Sequence, residues 1–341
     1  MDIKLREDIF WVGYVDWAVR DFHGYMTDKG SSYNAYLICD EKNTLIDTVK
    51  APYVETLLEN IKQATPLSSI EYVVVNHAEP DHAGGLSAVM AACPQATIVC
   101  NKKCKAILGH YHDTSEWKFH LVTSGDTLSI GQRTLTFIDT PMVHWPESMF
   151  TYIPEEKILF SMDAFGQHYS ASHRFDDEVD IHEVMKEAKK YYANIVMLYG
   201  KNIKATMEKV APLDIDIIAP AHGIIWRSNI LQILAAYRDW VLCKPKTKVL
   251  VIYDSMWNST RSMAEAIIDG AIKNDVTAKL IHVRSSNLTD IATEVLDAAA
   301  IAFGSATLNM GMMPEMGALL TYLKGLRPTG KAACAFGSYG W

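Results

Sequence analysis

Ten consecutive residues, Asn76-His77-Ala78-Glu79-Pro80-Asp81-His82-Ala83-Gly84-Gly85, place two imidazoles and two carboxylates on one short segment. Charged groups this close need a compensating cation, and a turn can aim several side chains at one point. The two glycines let the backbone pack closely as a helix begins. More candidate donors follow singly after apolar runs: His144 in Pro141-Met142-Val143-His144-Trp145-Pro146, Asp163 just beyond a run ending in Ser161, and His222 in Ala219-Pro220-Ala221-His222-Gly223. Loops on one edge of a sheet converge, which is how donors far apart in sequence come to meet. Taken alone, any of these histidines reads as an ordinary core or surface residue. That reading holds for His23, His110, His112, His120, His168, His173, His182 and His282.

The pattern His-x-Glu-x-Asp-His, followed by His144, Asp163 and His222, is set in the wider text His144-Trp145-Pro146-Glu147-Ser148-Met149 and Ser161-Met162-Asp163-Ala164-Phe165-Gly166-Gln167-His168. It resembles the di-iron site of the flavodiiron proteins, or A-type flavoproteins, and the resemblance covers nearly the whole chain. The resemblance implies a metallo-β-lactamase-like domain in which His77, Glu79 and His144 hold one iron, Asp81, His82 and His222 hold the other, and Asp163 bridges them. It implies no catalytic side chain beyond these ligands. The donor chemistry agrees: four imidazoles and three carboxylates suit iron better than a thiolate or all-imidazole set. Three carboxylates and a hydroxide would cancel the four charges of two ferrous ions.

A second group of loops lies late in the chain. Tyr253-Asp254-Ser255-Met256-Trp257-Asn258-Ser259-Thr260 leaves an apolar strand and enters a helix, offering backbone N–H groups and hydroxyls to a phosphate. An ordinary helix cap would use the same residue types. Gly304-Ser305-Ala306-Thr307-Leu308-Asn309 and Phe336-Gly337-Ser338-Tyr339-Gly340-Trp341 also stand at carboxyl ends of strands, where doubly wound folds take ligands. The three loops resemble those of flavodoxin-like FMN domains. The resemblance implies a phosphate on Ser255, Met256, Asn258, Ser259 and Thr260, and a flavin ring near Ser305, Thr307, Asn309, Ser338, Tyr339, Gly340 and Trp341.

Positioning these residues takes two kinds of layer. Residues 32–39 and 44–48 read as a hairpin, 53–62 as a helix and 71–76 as a buried valine-rich strand. Further β-type runs at 97–100, 134–139, 149–153, 157–161 and 214–219, with a long amphipathic segment at 180–198, suggest two sheets with helices outside. After the basic, proline-containing link Cys243-Lys244-Pro245-Lys246-Thr247 the rhythm becomes β-α-β. Strands are expected at 248–254, 277–283, 299–304 and 332–337, and helices at 259–274, 289–296 and 314–326. The expected architecture is α/β: an αββα metallo-β-lactamase-like sandwich over residues 1–245, then a doubly wound flavodoxin-like parallel sheet over residues 246–341. A sheet of that kind normally has a fifth strand and two more helices, so this one reads as truncated.

Composition narrows the function classes. Of the 341 residues, 49% are hydrophobic and 21% charged, an ordinary globular balance that argues against a disordered or fibrous chain. A formal net charge of −8 disfavours nucleic acid as a partner. No apolar run approaches the roughly 20 residues a membrane span requires, and the amino terminus shows no secretory signal, so a cytoplasmic location is expected. Six scattered cysteines without a Cys-x-x-Cys pair read as reduced packing residues, Cys100 and Cys104 as helix neighbours at best.

The resemblance therefore implies an FMN- and di-iron-dependent oxidoreductase that reduces O2 to water, NO to N2O, or both. Its electron donor would be external: a rubredoxin, a deazaflavin-dependent partner or a flavin reductase. Seven residues of strand span about 23 Å, so a flavin beyond the far end of strand 248–254 would point away from its own metal site. A head-to-tail homodimer or a dimer of dimers is the expectation. Rival readings are a dinuclear zinc hydrolase with a flavodoxin-like docking module, and a non-catalytic electron-transfer protein.

Overall fold

The computed structural model describes residues 3–339. The chain divides into two compact units. One comprises the residues up to Arg20, Thr27–Ala188 and Lys201–Ile233, and the other Asp21–Met26, Lys189–Gly200 and the residues from Leu234 onward.

In the first unit, a seven-stranded sheet runs in the order Lys4–Arg6, Ile9–Trp11, Tyr36–Ile38, Asn43–Ile46, Ile70–Val74, Thr97–Cys100 and Lys118–Leu121. Its members pair antiparallel up to Asn43–Ile46 and parallel thereafter. A five-stranded sheet orders Thr127–Ser129, Thr134–Asp139, Met149–Ile153, Ile158–Met162 and Ile217–Pro220. Only its last pair is parallel. One apolar cluster draws on both sheets: Ile9, Trp11, Tyr36, Ile46, Val74 and Val99 from the first, and Leu135, Phe137, Met149, Ile158, Phe160 and Ile217 from the second. Strands Met149–Ile153 and Ile158–Met162 are buried along their whole length, which is why they read as continuous apolar runs. The expected sandwich of two sheets is present, with helices such as Val54–Ala64 burying one face only.

The second unit carries a parallel sheet ordered Thr277–His282, Lys248–Asp254, Ala300–Ser305 and Ala332–Phe336. Helices Ser259–Lys273, Leu288–Val295 and Pro314–Leu326 connect its strands. This is the doubly wound order 2-1-3-4, as expected. The amphipathic segment at 180–198 is not one regular helix. Ile181–Tyr191 is α-helical, and a wide π turn, Tyr192–Val196, follows. Cys100 and Cys104 do not share a helix, because Cys100 ends strand Thr97–Cys100 and Asn101 caps helix Lys102–Tyr111, where Cys104 lies, but their thiols are neighbours in hydrogen-bonding contact. All six cysteines are free. No helix of the described residues is long and apolar enough to cross a membrane.

Candidate functional site

Each donor leaves the end of an apolar strand or a turn beside one. Beyond strand Ile70–Val74, His77 is fully buried, and the short helix Pro80–Ala83 turns Asp81 and His82 inward. A Cβ on Gly84 would lie 2.2 Å from the carbonyl oxygen of Pro80, so only glycine closes this turn. Asp163 directly follows strand Ile158–Met162, whose last residue adopts a φ of 43°. His222 follows Ile217–Pro220 and precedes Gly223, at φ 77°, where any side chain would collide with Gln167. His144 comes from the loop between Thr134–Asp139 and Met149–Ile153.

The structure brings all seven expected donors together. His77 Nε2 and His144 Nε2 each lie 3.1 Å from Glu79 Oε2. The same two nitrogens lie 3.4 and 3.5 Å from Asp163 Oδ2. His82 Nε2 and His222 Nε2 lie 3.4 and 3.0 Å from Asp81 Oδ2, and 3.1 and 3.4 Å from Asp163 Oδ1. The donors thus sort into two sets of two imidazoles and one carboxylate, one set on each oxygen of Asp163. His77, His144 and Asp163 offer atoms within 4.8 Å of one another, as do His82, Asp163 and His222.

The outer nitrogens decide what the inner ones offer. His222 Nδ1 lies 2.8 Å from the carbonyl oxygen of Ser32, which only accepts, so Nδ1 carries the proton. His77 Nδ1 lies 2.7 Å from Glu147 Oε1, an oxygen that also accepts the N–H of Ala78 at 3.1 Å. In a neutral imidazole, Nε2 then presents a lone pair, here toward carboxylate oxygens. Acceptor against acceptor at such distances requires a cation between them, either a proton or a metal ion. The residues therefore fit a pair of metal ions.

The electrostatics carry the same message. Burial disfavours a charged His77, but hydrogen bonds to Glu147 and Glu79 outweigh it and hold its pKa well above the ordinary value. Asp81 and Asp163 likewise overcome burial at His82. At His222, bonds to Asp163 and Asp81 overcome burial and push the pKa up to about 10. Asp163 is held well below the usual carboxylate range, since His82 and His222 outweigh its burial. Without metal, the site is a trap for protons.

In the second unit, a cleft of about 300 Å³ is lined by Met256, Trp257, Ser259, Ala306, Thr307, Ser338 and Tyr339. Helix Ser259–Lys273 starts here without the side-chain cap that Ser or Thr would give, because Asn258 is left-handed and makes no capping bond. Its first N–H groups remain available to an anion. Among the described residues the Ser255 hydroxyl oxygen is buried without a hydrogen-bond partner, another place for a phosphate oxygen. Thr260 lies beneath the cleft, 3.2 Å from the Ser338 hydroxyl. Ser305 spends its hydroxyl inside the loop, accepting the Met313 N–H, and Asn309 sits at an exposed hairpin tip between Thr307–Leu308 and Gly311–Met312. Gly340 and Trp341 lie outside the described residues. The cleft fits a flavin phosphate and ring.

Several supporting residues escaped sequence reasoning. Glu147 backs His77 across 70 positions of sequence, although it stands in the quoted run around His144. Asp47 accepts the backbone and side-chain N–H groups of Asn76 at 2.8 and 3.0 Å, fixing the start of the loop. Arg284 donates to Asp254 at 2.8 Å and to the Ser255 carbonyl at 2.6 Å, bracing the loop that enters the cleft. Trp145, next to His144, sets its ring edge-on to His77 at 5.2 Å.

Residues 32–223 match the model of the ODP family of beta lactamases, and residues 251–341 the flavodoxin model. The nitric oxide reductase of Moorella thermoacetica is 43% identical over 99% of this chain and 86% of its own length. Among solved structures, the flavodiiron protein from Giardia intestinalis superposes with a TM-score of 0.97 at 44% identity, covering 100% of this chain and 84% of that one. Rubredoxin oxygen:oxidoreductase from Desulfovibrio gigas gives 0.96 at 39% identity, covering 100% and 86%.

Proposed function

The chain belongs to the flavodiiron proteins, and on that footing we propose that it is an FMN- and iron-dependent oxidoreductase that reduces O2 to water, NO to N2O, or both. One observation supports this reading above all: seven donors, all buried except the half-buried Glu79, divide into two matched sets on the two oxygens of Asp163. In this reading His77, Glu79 and His144 hold one iron, Asp81, His82 and His222 the other, and Asp163 bridges. When bound, the flavin accepts single electrons from a donor and the iron pair supplies open coordination positions and electrons to the diatomic gas.

The protein's own residues do the rest. Glu79, Asp81 and Asp163 offset three of the four charges of two ferrous ions, so the pair can sit in a buried site. The Ser32 carbonyl and Glu147 fix which nitrogen of His222 and His77 faces inward. Trp145 packs its ring edge-on against His77, where it would limit water entry. In the second unit, Ser255, Met256, Asn258, Ser259 and Thr260 would take the FMN phosphate. Ser305, Thr307, Asn309, Ser338, Tyr339, Gly340 and Trp341 would surround the ring.

The division into residues 1–245 and 246–341, and a cytoplasmic location, belong to the same proposal. So does a head-to-tail homodimer. The donor is a rubredoxin-class protein, by analogy with the Desulfovibrio relative. The relatives are oxidoreductases, and a zinc hydrolase is not favoured. The test is iron, zinc and flavin quantification on the purified chain, followed by anaerobic mixing of the photoreduced protein with O2 or NO. Bound iron and flavin with consumption of either gas are expected. Zinc with thioester or lactam hydrolysis, or unchanged gas, would reject the proposal.

A further inference from the structure

The inner shells of the two metal positions are matched: two imidazoles, one carboxylate and one oxygen of Asp163 each. What lies behind them is not. His222 is backed by a neutral peptide carbonyl, Ser32 O, at 2.8 Å. His77 is backed by a full carboxylate, Glu147, at 2.7 Å. Glu147 is itself fully buried, so its charge is poorly screened. Its Oε1 takes the Ala78 N–H as well, while Oε2 is buried without a hydrogen-bond partner among the described residues. The segment is locked in place by Asn101, whose amide donates to the Glu147 carbonyl at 2.7 Å and to Asp139 at 2.9 Å. The other buried carboxylate nearby, Asp47, interacts with His82 and His77 through charge alone, its oxygens accepting hydrogen bonds from Asn76.

From this difference we propose that Glu147 is a positioning residue that makes the two metals unequal: the ion held by His77, Glu79 and His144 is bound more tightly and gives up an electron more readily than the ion held by Asp81, His82 and His222. A carboxylate hydrogen-bonded to the far nitrogen of a ligating imidazole raises that ligand's basicity and fixes its direction. More electron donation to one ion strengthens its bond and stabilises its higher oxidation state. A peptide carbonyl aligns the ring but adds no charge. Matched inner shells alone would give the two ions the same intrinsic affinity and potential, with their mutual repulsion as the one source of separate steps. The inference rests on the ligand assignment proposed above.

The test compares the full chain with Glu147→Gln, in which an amide oxygen can still accept from His77 while the charge is gone. Iron per chain is measured after equilibration against graded chelator, and the two reduction steps are followed by spectroscopic titration. The expected result is that one equivalent of iron leaves Glu147→Gln at a chelator concentration roughly 10- to 100-fold lower than from the parent, the other equivalent being unmoved. One reduction step should shift upward in the same variant. Glu147→Asp keeps the charge and should restore part of both properties, and it carries the test if Glu147→Gln does not fold. Loss of both equivalents together, or retention of both as in the parent, would overturn the inference. A parent chain that binds no iron pair would instead overturn the function proposed above.

Discussion

Asp163 faces both donor sets, and its two oxygens lie 3.1–3.5 Å from four imidazole nitrogens. Replacing it with alanine should therefore empty both metal positions, whereas His144→Ala should weaken one; metal analysis of the two variants distinguishes these outcomes. The histidines also set a pH dependence. In metal-free protein the His222 pKa is raised to about 10, because its carboxylate partners outweigh burial. Its contribution to stability is fully present below its unfolded value of about 6.5 and is lost as pH rises toward 10. The melting temperature of chelated protein should fall across that window. Metal binding needs the neutral ring, so iron uptake near neutral pH should release protons and weaken as pH falls; titration calorimetry in buffers of different ionisation enthalpy would show it, and buffer-independent heats would contradict it. The donors were legible in the sequence because four of them crowd into His77–His82 and the rest follow apolar runs. Glu147 was not, because its partner His77 is 70 positions away and nothing local marks the pair.

Elements that bury at least one face announce themselves, and those without a face do not. The sequence expectation and the structure agree residue for residue on Thr134–Asp139, Met149–Ile153 and Lys248–Asp254. The two-residue strands Asp21–Phe22 and Tyr25–Met26 are too short to carry any periodicity. The hairpin joining Thr307–Leu308 to Gly311–Met312 was missed for another reason. Both of its turn residues, Asn309 and Met310, have positive φ, and methionine at such a position sends no turn signal. Tertiary ion pairs are equally silent. Asp297, at the end of helix Leu288–Val295, gathers Lys189 at 2.8 Å, Lys246 at 3.1 Å and Lys248. These partners outweigh burial and hold its carboxyl far below the usual range. A depressed folded pKa gives stability that is present above about pH 4 and lost as pH falls. Asp297→Asn should cost the second unit about 2 kcal/mol near neutral pH, and the difference from the parent should shrink in acid; chemical unfolding at the two pH values measures it.

At the scale of the whole molecule, the fold class was legible because the change from a mixed to a parallel β-α-β rhythm shows in the sequence. The membership of the two units was less so: residues 21–26 and 189–200 group with the flavodoxin-like part, far from it in sequence. Long-range contacts of this kind leave no local pattern. In solution, light scattering should give the mass of two chains or a multiple of two, and full activity from a single chain would contradict the head-to-tail arrangement. The most direct test of the central claim is anomalous diffraction at the iron edge from crystals of the iron-loaded protein. Two peaks about 3.5–4 Å apart are predicted, one among His77, Glu79 and His144, the other among Asp81, His82 and His222, with Asp163 between them. A single peak, or iron located away from these seven side chains, would contradict it.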